Sequence, residues 1–313
     1  MKKCYFLLFL SIIVFLNFSC RKTNITPAYL LLSVEDFEDC IDVSNFHDKG
    51  YGQEELDIIK HQQFRDVHVT LNGKVLGYWP LPCTIPLLPE YSSLDNIEII
   101  PCVRVPNTTL TTIQYRFLRS ERRFLEMEKE GKYTFSDFKP DLKFVYWEGV
   151  EFPVLETFTQ STRFVAIKDS IYPATMEIVQ DEEGKHMGRI ALENTQKYFE
   201  VGTAHFNLAG GGVRHFWEIY YKCDDGEMTT YLRFQNTSMG NYSRDLIVCP
   251  PTNGSWKKLY IDITDIVSEA ASYSANQVSA SVSLSIRGLR TSESKNAYFY
   301  FGNMKLISMR APY

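Results

Sequence analysis

Cleaving a glycosidic bond takes two carboxylates held about 5–10 Å apart, and a strand carrying them shows a fixed spacing such as Glu-x-Asp-x-x-Glu. The 313-residue chain has no such triplet. Its densest acidic run, Glu35-Asp36-Phe37-Glu38-Asp39, has the wrong spacing and reads as a solvated strand end. The six His residues form neither His-x-x-x-His nor His-Glu-x-x-His, so a hydrolytic zinc lacks its ligands. His68 and His215 read as packed or surface strand residues. No Gly-x-Ser-x-Gly elbow presents a nucleophile. Gly210-Gly211-Gly212 lacks the helix and Lys of a phosphate cradle and reads as a turn. The expectation is therefore a protein with no catalytic residues, metal or cofactor, unless the fold gathers carboxylates or His from distant positions. What remains is binding by aromatic rings, whose faces stack on apolar C–H surfaces while polar neighbours take hydrogen bonds. Trp217, Tyr220, Tyr231 and Trp256 are the leading ligand-binding candidates, with Trp147 and Tyr221 beside them. Against each stands the tendency of Trp and Tyr to be largely buried.

A second chemistry is carried by Cys20. Lys2 and Lys3 precede an apolar stretch, Tyr5 to Phe18, shorter than the roughly 20 residues of a spanning helix. Residues 1–19 thus read as a signal peptide, ending Leu16-Asn17-Phe18-Ser19-Cys20 before polar Arg21-Lys22-Thr23-Asn24. This end is similar to a bacterial lipobox, which implies a diacylglycerol thioether on Cys20. Asn17 stands where the usual aliphatic residue would, and cleavage near Ser19 of a plain secretory leader is the alternative. Acylation by more than one chain would tether the protein firmly. Arg21 to Asn24 lacks an acidic cluster, which favours the periplasmic side of an outer membrane over the cell surface. No later stretch of about 18 apolar residues occurs, so no further span is expected.

Lys and Arg total 33 against 38 Asp and Glu, a net charge of -5 without long runs, so nucleic acid is not an expected partner. Past the leader and Cys20, five cysteines remain: Cys40, Cys83, Cys102, Cys223 and Cys249. Five thiols cannot all pair. Buried free thiols, a Cys83–Cys102 bridge and a Cys223–Cys249 bridge all stay open.

The elements that would position these groups are strands. A hydrophobic fraction of 44%, with 19 Tyr and 21 Phe, favours β-structure. Residues 20–27 form a tether, and strand signals begin at Tyr29 to Val34. Glu35 to Gln62 reads as loops. Val67 to Leu71 and Val75 to Tyr78 flank Asn72-Gly73, the pair that supplies the two positive φ angles of a type I′ hairpin turn. Pro80, Pro82 and Pro86 confine the next segment to an edge. Glu121 to Lys129 reads as a short helix or a continuing strand. A boundary near Trp147 to Pro153 separates residues 28–148 from 149–313. In the second part Val278, Ala280, Val282, Leu284 and Ile286 alternate with serines, predicting one packed and one wet face. Val213 to Lys222 carries aromatics on both faces and predicts a central strand.

Taken together, the sequence is all-β, a small Ig-like β-sandwich followed by a larger jelly-roll β-sandwich. Thr26 to Leu30 and the Val67-to-Tyr78 hairpin running into Pro80 to Pro86 resemble an uncharacterised Bacteroidota-type lipoprotein family. The first domain is also similar to the small PEGA-type sandwich. Trp256 to Asp262 and Tyr298 to Leu306 resemble the jelly rolls of carbohydrate-binding modules. Related jelly rolls often carry an Asp for structural calcium where this chain has Gly302, so that site is not expected here. The resemblance implies a non-enzymatic, lipid-anchored envelope protein binding a glycan. The alternatives are a structural or assembly lipoprotein that docks envelope proteins, and a glycan-active enzyme. Replacing Cys20 by Ser is expected to abolish labelled-palmitate incorporation and to release the chain from the membrane fraction. A Cys20→Ser chain that stays acylated and membrane-bound would overturn the anchor.

Overall fold

Twenty-two strands and four α-helices follow one another through residues 26–90, 94–106, 111–138, 143–168, 170–293 and 295–310, the residues described by the computed structural model. The leader and Cys20 lie outside the described residues.

Ten strands precede residue 148: β1 (Ala28–Leu32), β2 (Ile41–Asp42), β3 (Asp66–Leu71), β4 (Lys74–Pro80), β5 (Cys83–Leu87), β6 (Asp95–Val105), β7 (Thr111–Gln114), β8 (Glu121–Leu125), β9 (Lys132–Thr134) and β10 (Phe144–Val145). They form a three-stranded sheet β5-β1-β9, a five-stranded sheet β4-β3-β6-β7 with β8 also on β6, and a β10-β2 pair. At the β3–β4 turn Asn72 and Gly73 take φ of 52° and 74°, as the Asn-Gly pair requires. The Asn72 amide also donates to Asp95 and accepts from the Asn96 N–H at 2.7 and 2.8 Å, tying the turn to β6. Glu121 to Leu125 is a strand, which settles the open choice there.

Glu35 to Gln62 is not simply loop, and this corrects the sequence reading. It holds a 3-10 turn (Glu35–Phe37), α1 (Ser44–His47) and α2 (Gln53–Lys60). In α2 the Glu55 carboxylate accepts the Gly52 N–H at 2.9 Å, while Leu56, Ile58 and Ile59 are buried. Three apolar residues in eight give too little period to recognise. A further short helix, α3 (Phe135–Phe138), follows β9.

No named strand before residue 148 pairs with one after it. The later strands are β11 (Val150–Glu156), β12 (Val165–Ala166), β13 (Glu177–Gln180), β14 (His186–Leu192), β15 (Tyr198–Gly202), β16 (Phe206–Ala209), β17 (Val213–Asp224), β18 (Gly226–Thr237), β19 (Gly240–Cys249), β20 (Lys257–Asp262), β21 (Ser279–Arg290) and β22 (Ala297–Arg310), with α4 (Thr264–Ser272) between β20 and β21. Two six-stranded sheets result. One runs β13-β14-β22-β17-β20 with β11 on β22; the other runs β12-β15-β21-β18-β19 with β16 on β21. The fold is all-β and built of sandwiched sheets. Ala280, Val282, Leu284 and Ile286 are buried between the sheets as expected. Two details of that strand differ from the alternation. Val278 precedes the strand and is exposed, and Ser283 and Ser285 are buried because the Thr203 segment covers them. Ser283 donates to the Thr203 carbonyl at 2.8 Å, and the Thr203 hydroxyl accepts the Leu284 N–H at 3.1 Å.

β17 is paired on both sides and covered on both faces. Its inner side chains, Trp217, Ile219 and Tyr221, join the sandwich core. On the outer face Phe216 joins a second core with Tyr115, Tyr146, Tyr260, Ile307 and Met309, together with Phe46, Ile59 and Phe64 of the N-terminal part. The N-terminal sheets and α2 thus cap the outer face of the β17 sheet.

At the centre of that contact Glu218 is fully buried. Its carboxylate faces Lys258 Nζ at 3.2 Å and Lys305 Nζ at 3.5 Å, and accepts the Tyr115 hydroxyl at 2.5 Å. Lys305 donates to the carbonyls of Ile58 and Ile59 at 2.8 Å each and of His61 at 3.3 Å, the orphan acceptors at the end of α2. Gln62 donates to the Tyr115 and Tyr146 hydroxyls at 3.0 and 3.2 Å, and Tyr146 donates to the Ile59 carbonyl at 2.9 Å. Burial raises the Glu218 pKa, but Lys305, Lys258 and the Tyr115 bond outweigh it, so the carboxyl titrates below its usual range.

The five cysteines Cys40, Cys83, Cys102, Cys223 and Cys249 are free thiols, so neither candidate bridge is formed. Burial pushes Cys40, Cys102 and Cys249 to about 12 and Cys83 and Cys223 to about 11.

Two outcomes are expected. Glu218→Leu leaves Lys258 and Lys305 buried without a counter-charge and should cost about 3–5 kcal/mol in urea unfolding; an unchanged midpoint would show the cluster to be inconsequential. Burial first, and Lys258 against the pull of Glu218, push Lys305 down from 10.5 to about 7. Above pH 7 the folded chain has released a proton that the unfolded chain keeps until about 10.5. Stability should therefore rise with pH across that interval. The buried phenols of Tyr115, Tyr146 and Tyr260 titrate above their ordinary 10.0, so stability falls again once the unfolded chain ionises there. Thermal unfolding from pH 7 to 11 checks both limbs, and Lys305→Met should flatten the first.

Candidate functional site

Tyr220 and Lys222 continue the outer row of β17 past the region covered by α2, and there a cleft of about 650 Å³ opens. Tyr220 lies between two rings. The His61 imidazole packs against it at 4.8 Å, tilted by 57°, and the Trp256 indole stacks on it at 4.7 Å and 19°. Burial first, with the Lys258, Lys305 and Lys185 charges behind it, pushes His61 down to about 2, so Tyr220 packs against a neutral imidazole. The Lys222 ammonium sits 5.5 Å from the Trp256 ring centre and 4.8 Å from that of Tyr300, its cross-strand partner on β22.

A β-bulge sets this floor. Glu218 pairs with Lys305, but Tyr220 pairs with Gly302, leaving one extra residue on β22 at a point where Asn303 takes φ 38°. The extra residue changes the phase of alternation: Phe299 and Phe301 point into the sandwich before it, Met304 and Leu306 after it. Gly302 therefore lies beneath the rings, and a Cβ there would meet Tyr220 at 3.4 Å and Trp256 at 3.8 Å. The same shift delivers Lys305 to Glu218.

The opposite wall is the β13–β14 hairpin. Asp181 fixes its turn by accepting the N–H groups of Glu183 and Lys185 at 2.9 and 2.8 Å, and Lys185 pairs with Glu183 at 2.8 Å. Gln180 and His186 are hydrogen-bonded across the hairpin at 2.8 Å, and Arg189 holds Glu177 at 2.7 Å. With Asn303, these side chains supply donors and acceptors around the aromatic floor.

Of the four leading aromatic candidates, the structure brings Tyr220 and Trp256 together in this cleft and excludes the other two. Trp217 is 1% exposed and stacks on Phe164 in the sandwich core at 6.3 Å. Tyr231 is 3% exposed, with its hydroxyl on Glu200 at 2.5 Å and the Arg287 guanidinium over its ring at 5.4 Å. Neither ring is open to a ligand, which corrects the expectation for both. Tyr221 is buried as well, while Trp147 stands exposed at the other end of the β17 sheet. Sequence reasoning passed over Tyr300 and Lys222. The alternation of Tyr298 and Tyr300 with Phe299 and Phe301 was the available signal for the first; nothing marked Lys222.

A smaller cleft of about 350 Å³ lies on the other sheet, beside Ile171 and the packed pair Tyr172 and Tyr198, whose rings are 4.8 Å apart. Among the described residues no group of three or more His, Cys, Asp or Glu could hold a metal ion, and no helix is long and apolar enough to cross a membrane.

No family model and no curated protein matches the chain. Solved structures do. The CBM22-1–GH10 modules of Clostridium thermocellum xylanase 10B, complexed with xylohexaose, match at 13% identity and TM-score 0.36, over 52% of this chain and 29% of that one. A xylan-binding domain of carbohydrate-binding family 22 matches at 11% identity and TM-score 0.31, over 52% of this chain and 97% of that one. The family 11 carbohydrate-binding module of C. thermocellum Lic26A-Cel5E matches at 15% identity and TM-score 0.29, over 50% and 94%. The match thus spans under a third of the xylanase chain and nearly all of each isolated module.

Proposed function

We propose that this protein binds a glycan without cleaving it, in the cleft floored by Tyr220, Trp256 and Tyr300, and that Cys20 holds it to a bacterial envelope. One observation carries the binding reading: a concave site whose floor is stacked aromatic rings and whose walls are amide, imidazole, ammonium and guanidinium groups. Sugars present both an apolar C–H face and a ring of hydroxyls, and this arrangement answers both. Trp256 is the contact ring, since Tyr220 is occupied by His61 and Trp256 and acts as its support. Three carboxylates line the cleft, Asp181, Glu182 and Glu183, and two of them are taken up, Asp181 by the hairpin turn and Glu183 by Lys185, whereas hydrolysis takes two working carboxylates. That supports binding rather than hydrolysis. Attachment through Cys20, on the periplasmic side of an outer membrane, rests on the leader and on Arg21 to Asn24 alone.

A second reading, docking of another envelope protein, is supported by the apolar patch of Ile171, Tyr172 and Tyr198, in which Ile171 is 81% exposed. Stoichiometric copurification of a partner that is lost on Ile171→Asp would favour it.

The glycan reading is tested by titrating the protein against a panel of neutral polysaccharides. At least one should bind, and Trp256→Ala should weaken it about tenfold or more, equivalent to ~1.4 kcal/mol, with an unchanged melting temperature. Binding to none, or binding indifferent to Trp256, would overturn it.

A further inference from the structure

The outer row of β17 begins with Arg214, at the end away from the Tyr220 cleft. There the segment between β7 and β8 brings Arg116 to the same place, and both arginines line a cleft of about 250 Å³ together with Gln114, Ser120 and Trp147. Arg116 is braced, its Nε donating to the Gln114 side-chain oxygen at 3.1 Å. Arg214 is half-buried. Burial first, and the positive charge of Arg116 second, disfavour its protonated form, while Asp262 opposes them.

Two like charges directed at one space cost energy unless a counter-charge joins them. At several other arginines the chain supplies one: Arg104 is held by Asp66, Arg122 by Glu98, Arg189 by Glu177 and Arg287 by Asp245. Neither Arg116 nor Arg214 forms an ion pair among the described residues. The lining of this cleft contains no acidic side chain. Asp262 and Asp265 lie on the far side of the pair, in an adjoining cleft that shares Gln114, Arg116 and Arg214. The Asp262 carboxylate accepts the Thr264 N–H at 3.0 Å. The two arginines therefore border both clefts, and the one on the Trp147 side has no acidic side chain in its lining. Trp147 is 36% exposed, its ring steadied by Arg119, which lies over it at 5.2 Å and is anchored by Glu148 at 3.2 Å.

We propose that this junction cleft is a binding site for an oxyanion, a carboxylate, sulfate or phosphate carried on a ring-sized molecule, with Arg214 and Arg116 gripping the acid and Trp147 covering the ring. Arg forks match the paired oxygens of such groups, and two convergent forks favour a bidentate grip. The acidic group would cancel the repulsion between the arginines. The site shares no lining residue with the Tyr220 cleft and does not rest on the glycan reading.

The test is calorimetric titration of the full chain in detergent, at low ionic strength, with glucuronic acid, inorganic sulfate, inorganic phosphate and, as the uncharged control, glucose. At least one anion should saturate below ~10 mM and outcompete glucose about tenfold or more, weakening as salt is added. Arg214→Gln and Arg116→Gln should each lower that affinity about tenfold without changing the melting temperature, and Arg214→Lys should not restore it fully. Trp147→Ala should weaken glucuronic acid and leave the inorganic ions alone, which separates an acid carried on a ring from a free ion. If no anion saturates, or if the double variant Arg116→Gln, Arg214→Gln binds as the wild type does, the proposal is overturned.

Discussion

Everything in the molecule is arranged about one buried carboxylate. Glu218 stands on the outer face of a sandwich sheet, where an isolated strand would leave it in water, and the N-terminal part closes over it. Sealing an anion costs several kcal/mol unless partners replace the solvent. Here two ammonium groups and a phenol replace it. Below pH 7, where Lys305 is protonated, the arrangement carries one positive charge more than negative, and Lys305 directs its charge at the carbonyl end of α2. The helix dipole thus acts as the second anion. Apolar residues of equal volume could give as much stability, but they would accept many orientations. A lysine aimed at Ile58, Ile59 and His61, with Gln62 bonded to two tyrosines, accepts essentially one.

That fixed docking divides the outer row of β17 into three. Phe216 and Glu218 are covered; Arg214 emerges at one end, and Tyr220 with Lys222 at the other. The single bulge in β22 is what makes the division work. Without the extra residue near Asn303, either Gly302 or Lys305 would point into the sandwich, since a one-residue slip exchanges the two faces of a strand. The bulge lets both point outward, so the glycine that admits the Trp256 ring and the lysine that locks the interface lie on one strand, three residues apart.

Much of this was legible in the sequence wherever local rules govern. Asn72-Gly73 specified its turn because only that backbone geometry joins two such strands tightly, and the serine-alternating run showed which side of β21 packs. Two-sided aromatics correctly marked Val213 to Lys222 as central. That same feature concealed the site. A strand aromatic on both faces gives no indication of which face meets a core and which a second layer, so Trp217 and Tyr220 looked alike, although one is sandwiched and the other lines a cleft. Ser283 and Ser285 failed for a related reason: the Thr203 segment covers them, and periodicity is silent about what lies above a face. The helix Gln53–Lys60 was missed because three apolar residues in eight mark too little period, and because Lys305 and Tyr146 hold its end through backbone carbonyls, which no side-chain pattern records. Glu218 and Lys305, 87 positions apart, carry no sequence mark at all.

The cleft and the interface are one mechanical object, with consequences for binding. Tyr220 is held by His61 on one side and Trp256 on the other, and His61 follows directly on the α2 end that Lys305 grips. Were the N-terminal part to lift away, the aromatic floor would lose its buttress and Tyr220 would be free to turn. If the proposed ligand stacks on Trp256 and favours the docked arrangement, linkage would stabilise that arrangement by up to RT ln(1 + [L]/Kd), about 2.7 kcal/mol at a hundredfold excess over Kd. The converse also holds. The ordering of Tyr220 is completed at folding by the Glu218 cluster, so the ligand need not supply it, and a shallow site with few hydrogen bonds can still bind usefully. In this molecule the buried ionic cluster is how the N-terminal part, whose His61 packs against Tyr220, preorganises a cleft lined wholly by residues after 148.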